Sequence, residues 1–165
     1  MIGSRPHVLF IIIDSARWDH FSLYGYEKDT TPFLRSLAPD LMIYSNANAP
    51  AAWTRPAMNS IFTGLYPHQN GQLGLATHRY GWFEPWPTTY SLLKKAGYRT
   101  GLIGKTHVIP AGAVEDFVDF RYQKGSNFAK KKVASYAVEA GKFFRVSDEP
   151  FFMTVNYPDA HWPLQ

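Results

Sequence analysis

The sequence contains no cysteine. That single absence excludes disulfide bridges, thiolate zinc sites and a cysteine nucleophile. Long apolar runs are also lacking: no segment approaches the length needed to span a bilayer, and the N-terminus enters an apolar strand without the charged and apolar regions of a signal peptide. The expectation from this is a cytoplasmic protein with no membrane partner. A strong excess of either charge is absent as well. Seventeen Lys and Arg against thirteen Asp and Glu leave a net +4, too weak to suggest nucleic acid but compatible with an anionic small molecule or glycan. Part of the excess lies in Lys130-Lys131-Lys132, expected on a solvated helix face.

What is present is apolar and aromatic. With 45% hydrophobic and 16% aromatic residues in 165, the chain can bury a core and is not disordered. Val8 to Ile13 is a continuous apolar run between Pro6 and Asp14, and predicts a strand buried on both faces in the middle of a mostly parallel sheet. Further strands are expected over 41–46, 98–104 and 151–156, and helices over 31–38, 55–63, 88–96 and 127–145. Strands alternating with helices give an α/β fold whose working edge is the set of strand C-terminal ends. Residues 71–87 read as a long aromatic loop, a candidate substrate wall.

Five side chains carry the chemistry. Thr54 stands where a loop turns into a helix, with Pro56 just inside it. As an N-cap its oxygen would lie among free N–H groups near the positive end of the helix dipole, which suits a nucleophile attacking an anionic ester; taken alone, the residue reads first as an ordinary cap. Asp14 ends the first strand and suits a divalent cation or a turn cap. Lys105 and His107 alternate along an extended segment, so both can face one side. An ammonium there can stabilise a transferring sulfuryl or phosphoryl group and an imidazole can pass a proton, unless the pair is a basic surface turn. His161 follows the last strand, where it can hydrogen-bond a substrate oxygen or protonate a leaving group, or serve only as a loop residue. His68 is expected to be structural, anchoring the loop after the Thr54 helix; His7, His20 and His78 receive no role, and no residues are assigned to an organic cofactor.

Several segments in order resemble the N-terminal half of the sulfatase family, within the alkaline-phosphatase superfamily. Arg5 to Asp14 is similar to the family's opening strand with its metal-binding Asp, and Thr31-Pro32-Phe33-Leu34 to the helix that follows. Residues 54–71 resemble the signature Cys/Ser-x-Pro-Ser-Arg followed by Leu-Thr-Gly-x-Tyr-Pro-His-x-x-Gly. Gly101 to His107 and His161-Trp162-Pro163 resemble two later motifs. Within the family, His68 to Gly71 and Gly104 to Val108 are most similar to the N-sulfoglucosamine sulfohydrolases.

The resemblance implies an alkaline-phosphatase-like fold and hydrolysis of sulfate esters or sulfamates of sugars. It implies Asp14 and Thr54 as ligands of one divalent metal, calcium, with Thr54 at the nucleophile position. Lys105 and His107 would bind the sulfate, and His161 would lie on the leaving-group side. Three residues depart from the pattern: Thr54 itself, Met58 in place of the signature arginine (with Ala57 beside it), and Ser15 in place of a second acid. A secondary alcohol cannot give formylglycine, the oxidised aldehyde nucleophile of most sulfatases. Threonine is typical instead of the superfamily's phosphodiesterases, so a phosphodiesterase or phosphonate monoester hydrolase using Thr54 directly, with manganese or zinc, is the alternative. Because the family's remaining metal ligands come from a later strand, the 165 residues are expected to be a fragment of a larger reading frame that by itself binds metal poorly and turns over slowly or not at all; a further alternative is an inactive truncated domain or an anionic-glycan binder.

Overall fold

The computed structural model describes residues 5–74, 86–104, 114, 116–122, 133–145, 148–158 and 160. The chain divides into two compact units, one formed by 1–14 with 50–165 and the other by 15–49.

The larger unit is an α/β layer structure, as the alternation of elements predicts. Strands β1 (Val8–Ile13), β2 (Arg99–Ile103), β3 (Phe120–Tyr122) and β4 (Phe151–Tyr157) form one sheet in the order β1-β4-β2-β3. Every pairing is parallel, with Val8 opposite Phe152 and Ile13 opposite Tyr157 on one side of β4, and Thr100 opposite Phe152 on the other. Helices α2 (Thr54–Thr63), α3 (Pro67–Asn70), α4 (Thr89–Lys95) and α5 (Val133–Phe144) complete the unit.

Strand periodicity splits the core into two layers. On one face Val8, Phe10, Ile12, Leu102 and Phe152 pack against Met58 and Phe62 of α2 and Tyr90 of α4. Phe62 meets Phe10 edge-on at 6.4 Å between centroids, and Tyr90 meets Phe152 at 4.9 Å. The Tyr90 hydroxyl donates to the Gly101 carbonyl at 3.0 Å, and burial pushes its phenol pKa up. On the other face Ile103, Met153 and Val155 pack against Tyr136, Ala140 and Phe143 of α5. The Arg99 guanidinium lies 3.9 Å from the centre of the Phe143 ring.

Two expectations need correction. Strand β1 has the predicted bounds, but among the described strands it lies at the sheet edge, not the middle, and is not buried on both faces. Its residues alternate between half-buried and exposed, because α5 covers β2, β3 and β4 and leaves the far face of β1 open. Residues 41–46 form no strand: Leu41 is extended, the chain turns at Ser45–Asn46, and the segment has no partner strand among the described residues.

The remaining elements agree closely with their local signals. Thr88 caps α4, its hydroxyl accepting from the Ser91 amide at 3.1 Å. Helix α2 stops at Gly64, which takes the left-handed conformation (φ 69°) and closes the last turn on the Ser60 carbonyl at 2.8 Å. Of the predicted helix over 127–145, the part from Val133 is described and is helical.

The smaller unit holds α1 (Pro32–Ser36) between single helical turns. Thr31 precedes α1 as expected of a cap, yet its hydroxyl is bonded to the Ser22 hydroxyl at 2.9 Å instead of to the helix. An Arg35–Asp29 ion pair at 2.9 Å closes the preceding turn. Among the described residues, no helix is long and apolar enough to cross a membrane.

Candidate active site

Alternation along β1 places Val8, Phe10 and Ile12 on the α2 face, so the next residue in phase, Asp14, leaves the strand on that same face. The Asp14 amide continues the ladder by donating to the Tyr157 carbonyl at 2.9 Å, which fixes the backbone just past the strand end. Helix α2 is pinned over this face by Met58 and Phe62, both buried in the core. Its first turn therefore lies at the C-terminal rim of β1.

There the hydroxyl of Thr54 reaches the Asp14 carboxylate, with Oγ1 3.4 Å from Oδ1 and 3.5 Å from Oδ2. These are long, nearly equal separations, well beyond the usual 2.5–3.0 Å of a hydroxyl donor on an oxygen. Both side chains are partly buried, so the pair is reachable from solvent yet shielded from it on one side. Forty residues apart in sequence, the two groups share one small space.

Thr54 is the first residue of α2, and the N-cap is Trp53. The predicted capping role is thus displaced by one position: Trp53 has the extended backbone of a cap (φ −111°, ψ 144°), while Thr54 is already helical. Its hydroxyl is free of capping duty and points to Asp14 instead. Ser15, directly after Asp14, has φ 63°, the one non-glycine residue with positive φ among those described. A left-handed residue there turns the chain sharply as it leaves the carboxylate.

Lys105, His107 and His161 lie outside the described residues. Gly104, immediately before Lys105, is described: it has φ 88°, and its amide donates to the Tyr122 carbonyl at 2.9 Å. A Cβ at this position would fall under 3.0 Å from the Asn156 carbonyl oxygen. Asn156 pairs with Ile12, lies on the α2 face of β4 and is 3% exposed. A buried carboxamide between the strands that end in Asp14 and Gly104 is a further polar group at the rim. No local pattern marks it, since Asn156 reads only as the end of an apolar strand.

His68 does not anchor the loop after α2 as predicted. It is exposed and stacks on Tyr66 at 5.9 Å. The anchor is Asn70, fully buried, whose side chain donates to the Leu65 carbonyl at 3.3 Å and accepts from the Gln72 amide at 3.0 Å. Its place just before Gly71 at a helix end was the available signal.

The sulfatase family model matches residues 6–165. The chain belongs to the sulfatase family. Human N-sulphoglucosamine sulphohydrolase is 33% identical over 170 residues, which span 96% of this chain and 32% of that protein. A protein solved with its substrate D-glucosamine-2-N,6-O-disulfate superposes with a TM-score of 0.78 at 23% identity, over 96% of this chain and 35% of that one. A periplasmic domain from Escherichia coli, solved as a zinc complex, shares the fold with a TM-score of 0.71 at 20% identity, over 98% of this chain and 46% of that one. The chain spans about a third of the length of the curated relatives it matches. The expected family and the alkaline-phosphatase-like α/β fold are thereby borne out.

Members of the superfamily are generally metal-dependent. Among the described residues, no cluster of three or more His, Asp or Glu could hold a metal ion. The carboxylate and the hydroxyl that meet at the rim are hard oxygen groups.

Proposed function

We propose that the complete protein hydrolyses sulfate esters or sulfamates of sulfated sugars, N-sulfoglucosamine being the first substrate to test. The observation that carries this reading is the Thr54–Asp14 juxtaposition within a family-wide match to sulfatases. The human N-sulphoglucosamine relative and the glucosamine-disulfate complex support the choice of sugar.

Thr54 is the nucleophile in this proposal. Its oxygen bonds to sulfur as the bond from sulfur to the sugar oxygen or nitrogen breaks, and the departing atom takes up a proton from His161. The Thr54 proton passes to the Asp14 carboxylate it already faces. Water then attacks sulfur and gives one proton to His161; the bond from Thr54 to sulfur breaks, the Thr54 oxygen takes back the proton held by Asp14, and hydrogensulfate leaves and ionises to sulfate. Lys105 and His107 would bind the sulfate oxygens. No formylglycine forms, because oxidation of a secondary alcohol gives a ketone.

Asp14 and Thr54 are proposed to hold one divalent cation, which when bound makes the hydroxyl more acidic and neutralises charge on the sulfuryl group. Calcium is the cation proposed, on the resemblance to sulfatases, with zinc or manganese as the alternatives; a carboxylate and a hydroxyl would offer it hard oxygen donors.

The test is a parallel assay of the complete protein on N-sulfoglucosamine, an aryl sulfate and an aryl phosphonate monoester. Sulfamate or sulfate cleavage that falls on the order of 10³-fold or more in Thr54→Ala is expected. Dominant phosphonate cleavage would overturn the sulfatase reading, and activity unchanged in Thr54→Ala would remove the nucleophile.

A further inference from the structure

Helix α2 packs on the sheet through one stripe. Met58, Asn59 and Phe62 are 3%, 0% and 1% exposed, and they follow position 55 at the i+3, i+4 and i+7 spacings of a single helix face. Arg55 therefore heads the buried stripe, one turn before Met58, where the helix passes the C-terminal rim of β1. Its backbone is tied to the same stripe, since the Arg55 carbonyl accepts from the Asn59 side-chain amide at 2.9 Å. Helical side chains lean toward the N-terminus of their helix. The face that buries Met58 thus carries the Arg55 side chain to the rim where the Thr54 hydroxyl meets the Asp14 carboxylate. A cation is out of place there by local rules. The first turn of a helix is its positive end and favours acids, yet α2 has no acidic residue in that turn and carries Arg55 instead. The residue is half-buried, and a charge partly withdrawn from water needs an opposite charge or hydrogen bonds to hold it. Departures of this kind concentrate at functional sites.

We propose that Arg55 binds the sulfate group of the substrate, a reading that rests on Thr54 as the sulfuryl acceptor. A sulfate ester or sulfamate reaches Thr54 as an anion and meets the Asp14 carboxylate beside it. A guanidinium on the same rim offsets that repulsion, and its planar fork can donate two parallel N–H bonds to two sulfate oxygens. Those oxygens stay anionic from the bound ester to the released product. Arg55 therefore contributes to the binding of inorganic sulfate as well as of substrate.

Inorganic sulfate is the probe, titrated calorimetrically into the complete protein at constant ionic strength. Arg55→Gln and Arg55→Met, the second keeping the bulk of the stem, are each expected to weaken sulfate binding about 10- to 100-fold. Arg55→Lys should recover part of the loss, because the charge returns without the fork. Arg35→Gln, which removes an exposed cation paired with Asp29, is the reference and should bind sulfate as the parent does. An arginine with only a structural role would lower the unfolding midpoint when replaced and leave the sulfate affinity of the folded protein unchanged. That result would overturn the proposal, as would a parent protein with no saturable sulfate binding. The titration involves no turnover, so the two readings fail separately. Dominant phosphonate cleavage would sink the sulfatase reading and leave a loss of sulfate binding in the Arg55 variants standing. Equal sulfate affinity in all variants would remove Arg55 and leave sulfate ester hydrolysis intact.

Discussion

Replacing Gly104 by alanine separates two costs that usually arrive together. Gly104 and Gly64 both have positive φ, 88° and 69°, so a Cβ at either place incurs the left-handed penalty of about 1–2 kcal/mol. Part of that is recovered because alanine reduces the entropy of the unfolded chain by about 0.4–1 kcal/mol. At Gly64 nothing lies within 4 Å of the added carbon, so the net loss should be about 1 kcal/mol. At Gly104 the added carbon falls under 3.0 Å from the Asn156 carbonyl oxygen. That oxygen belongs to the central strand β4, which is held by β1 on one side and β2 on the other, so it cannot retreat as a flexible side chain would. The chain must instead give up the Gly104 amide bond to Tyr122 or distort its angles, for a total of about 3–4 kcal/mol. Equilibrium unfolding in urea, compared through midpoints at constant slope, measures both variants. Gly104→Asn refines the test, since asparagine tolerates positive φ and leaves mainly the clash. A Gly104→Ala loss within about 0.5 kcal/mol of Gly64→Ala would refute the close approach of the two strand ends.

The other predictions concern the rim and its support. Asp14→Asn should abolish any calcium-dependent rise in melting temperature while changing the melting temperature without calcium by only a few degrees; an undiminished calcium response would exclude Asp14 as a ligand. Met58→Arg, which restores the signature residue at a position 3% exposed in the core, should lose about 3 kcal/mol or more in denaturant unfolding unless the guanidinium finds a partner. Burial by itself pushes the Asp119 carboxyl up, but the Lys94 ammonium and the Thr100 amide and hydroxyl outweigh it and hold the carboxyl below its ordinary range. Because the folded pKa is depressed, the stabilisation is fully present above the unfolded value of about 3.9 and is lost as pH falls through the folded one. The stability gap between the parent and Asp119→Asn should therefore be constant near neutrality and close on acidification, and a gap that widens below pH 4 would contradict the assignment.

How much of this was legible in the sequence depends on the range of the interaction. The bounds of β1, a threonine cap at Thr88 or Thr89 and the Gly64 stop are local signals, set by an apolar run, a hydroxyl and a glycine, and the structure agrees with them, with Thr88 as the cap. Strand order is not local. The run of Val8 to Ile13 looks the same whether it lies in the middle of a sheet or at its edge, and only the placement of α5 over β4 and not β1 decides between half-buried and fully buried. Residues 41–46 carry strand-forming side chains without a partner strand among the described residues, whereas the three-residue β3 has almost no intrinsic signal and exists through its pairing with β2. Asn156 was illegible for the same reason: a carboxamide at a strand end becomes a rim residue only once Ile12 and Gly104 are its neighbours.

The same distinction explains why Thr54 and Met58 have to be considered together. They lie one helical turn apart on α2, so a helix that turns Met58 into the core beside Phe62 also aims its first residue at the rim of β1. An arginine at position 58 would have to leave that core or carry a buried charge, and either would loosen the packing that holds α2 over Asp14. Apolar Met58 thus secures the helix while the hydroxyl of Thr54 faces the carboxylate, and the two departures from the family signature become one coherent arrangement: the core contact fixes the 3.4 Å approach on which the proposed chemistry depends.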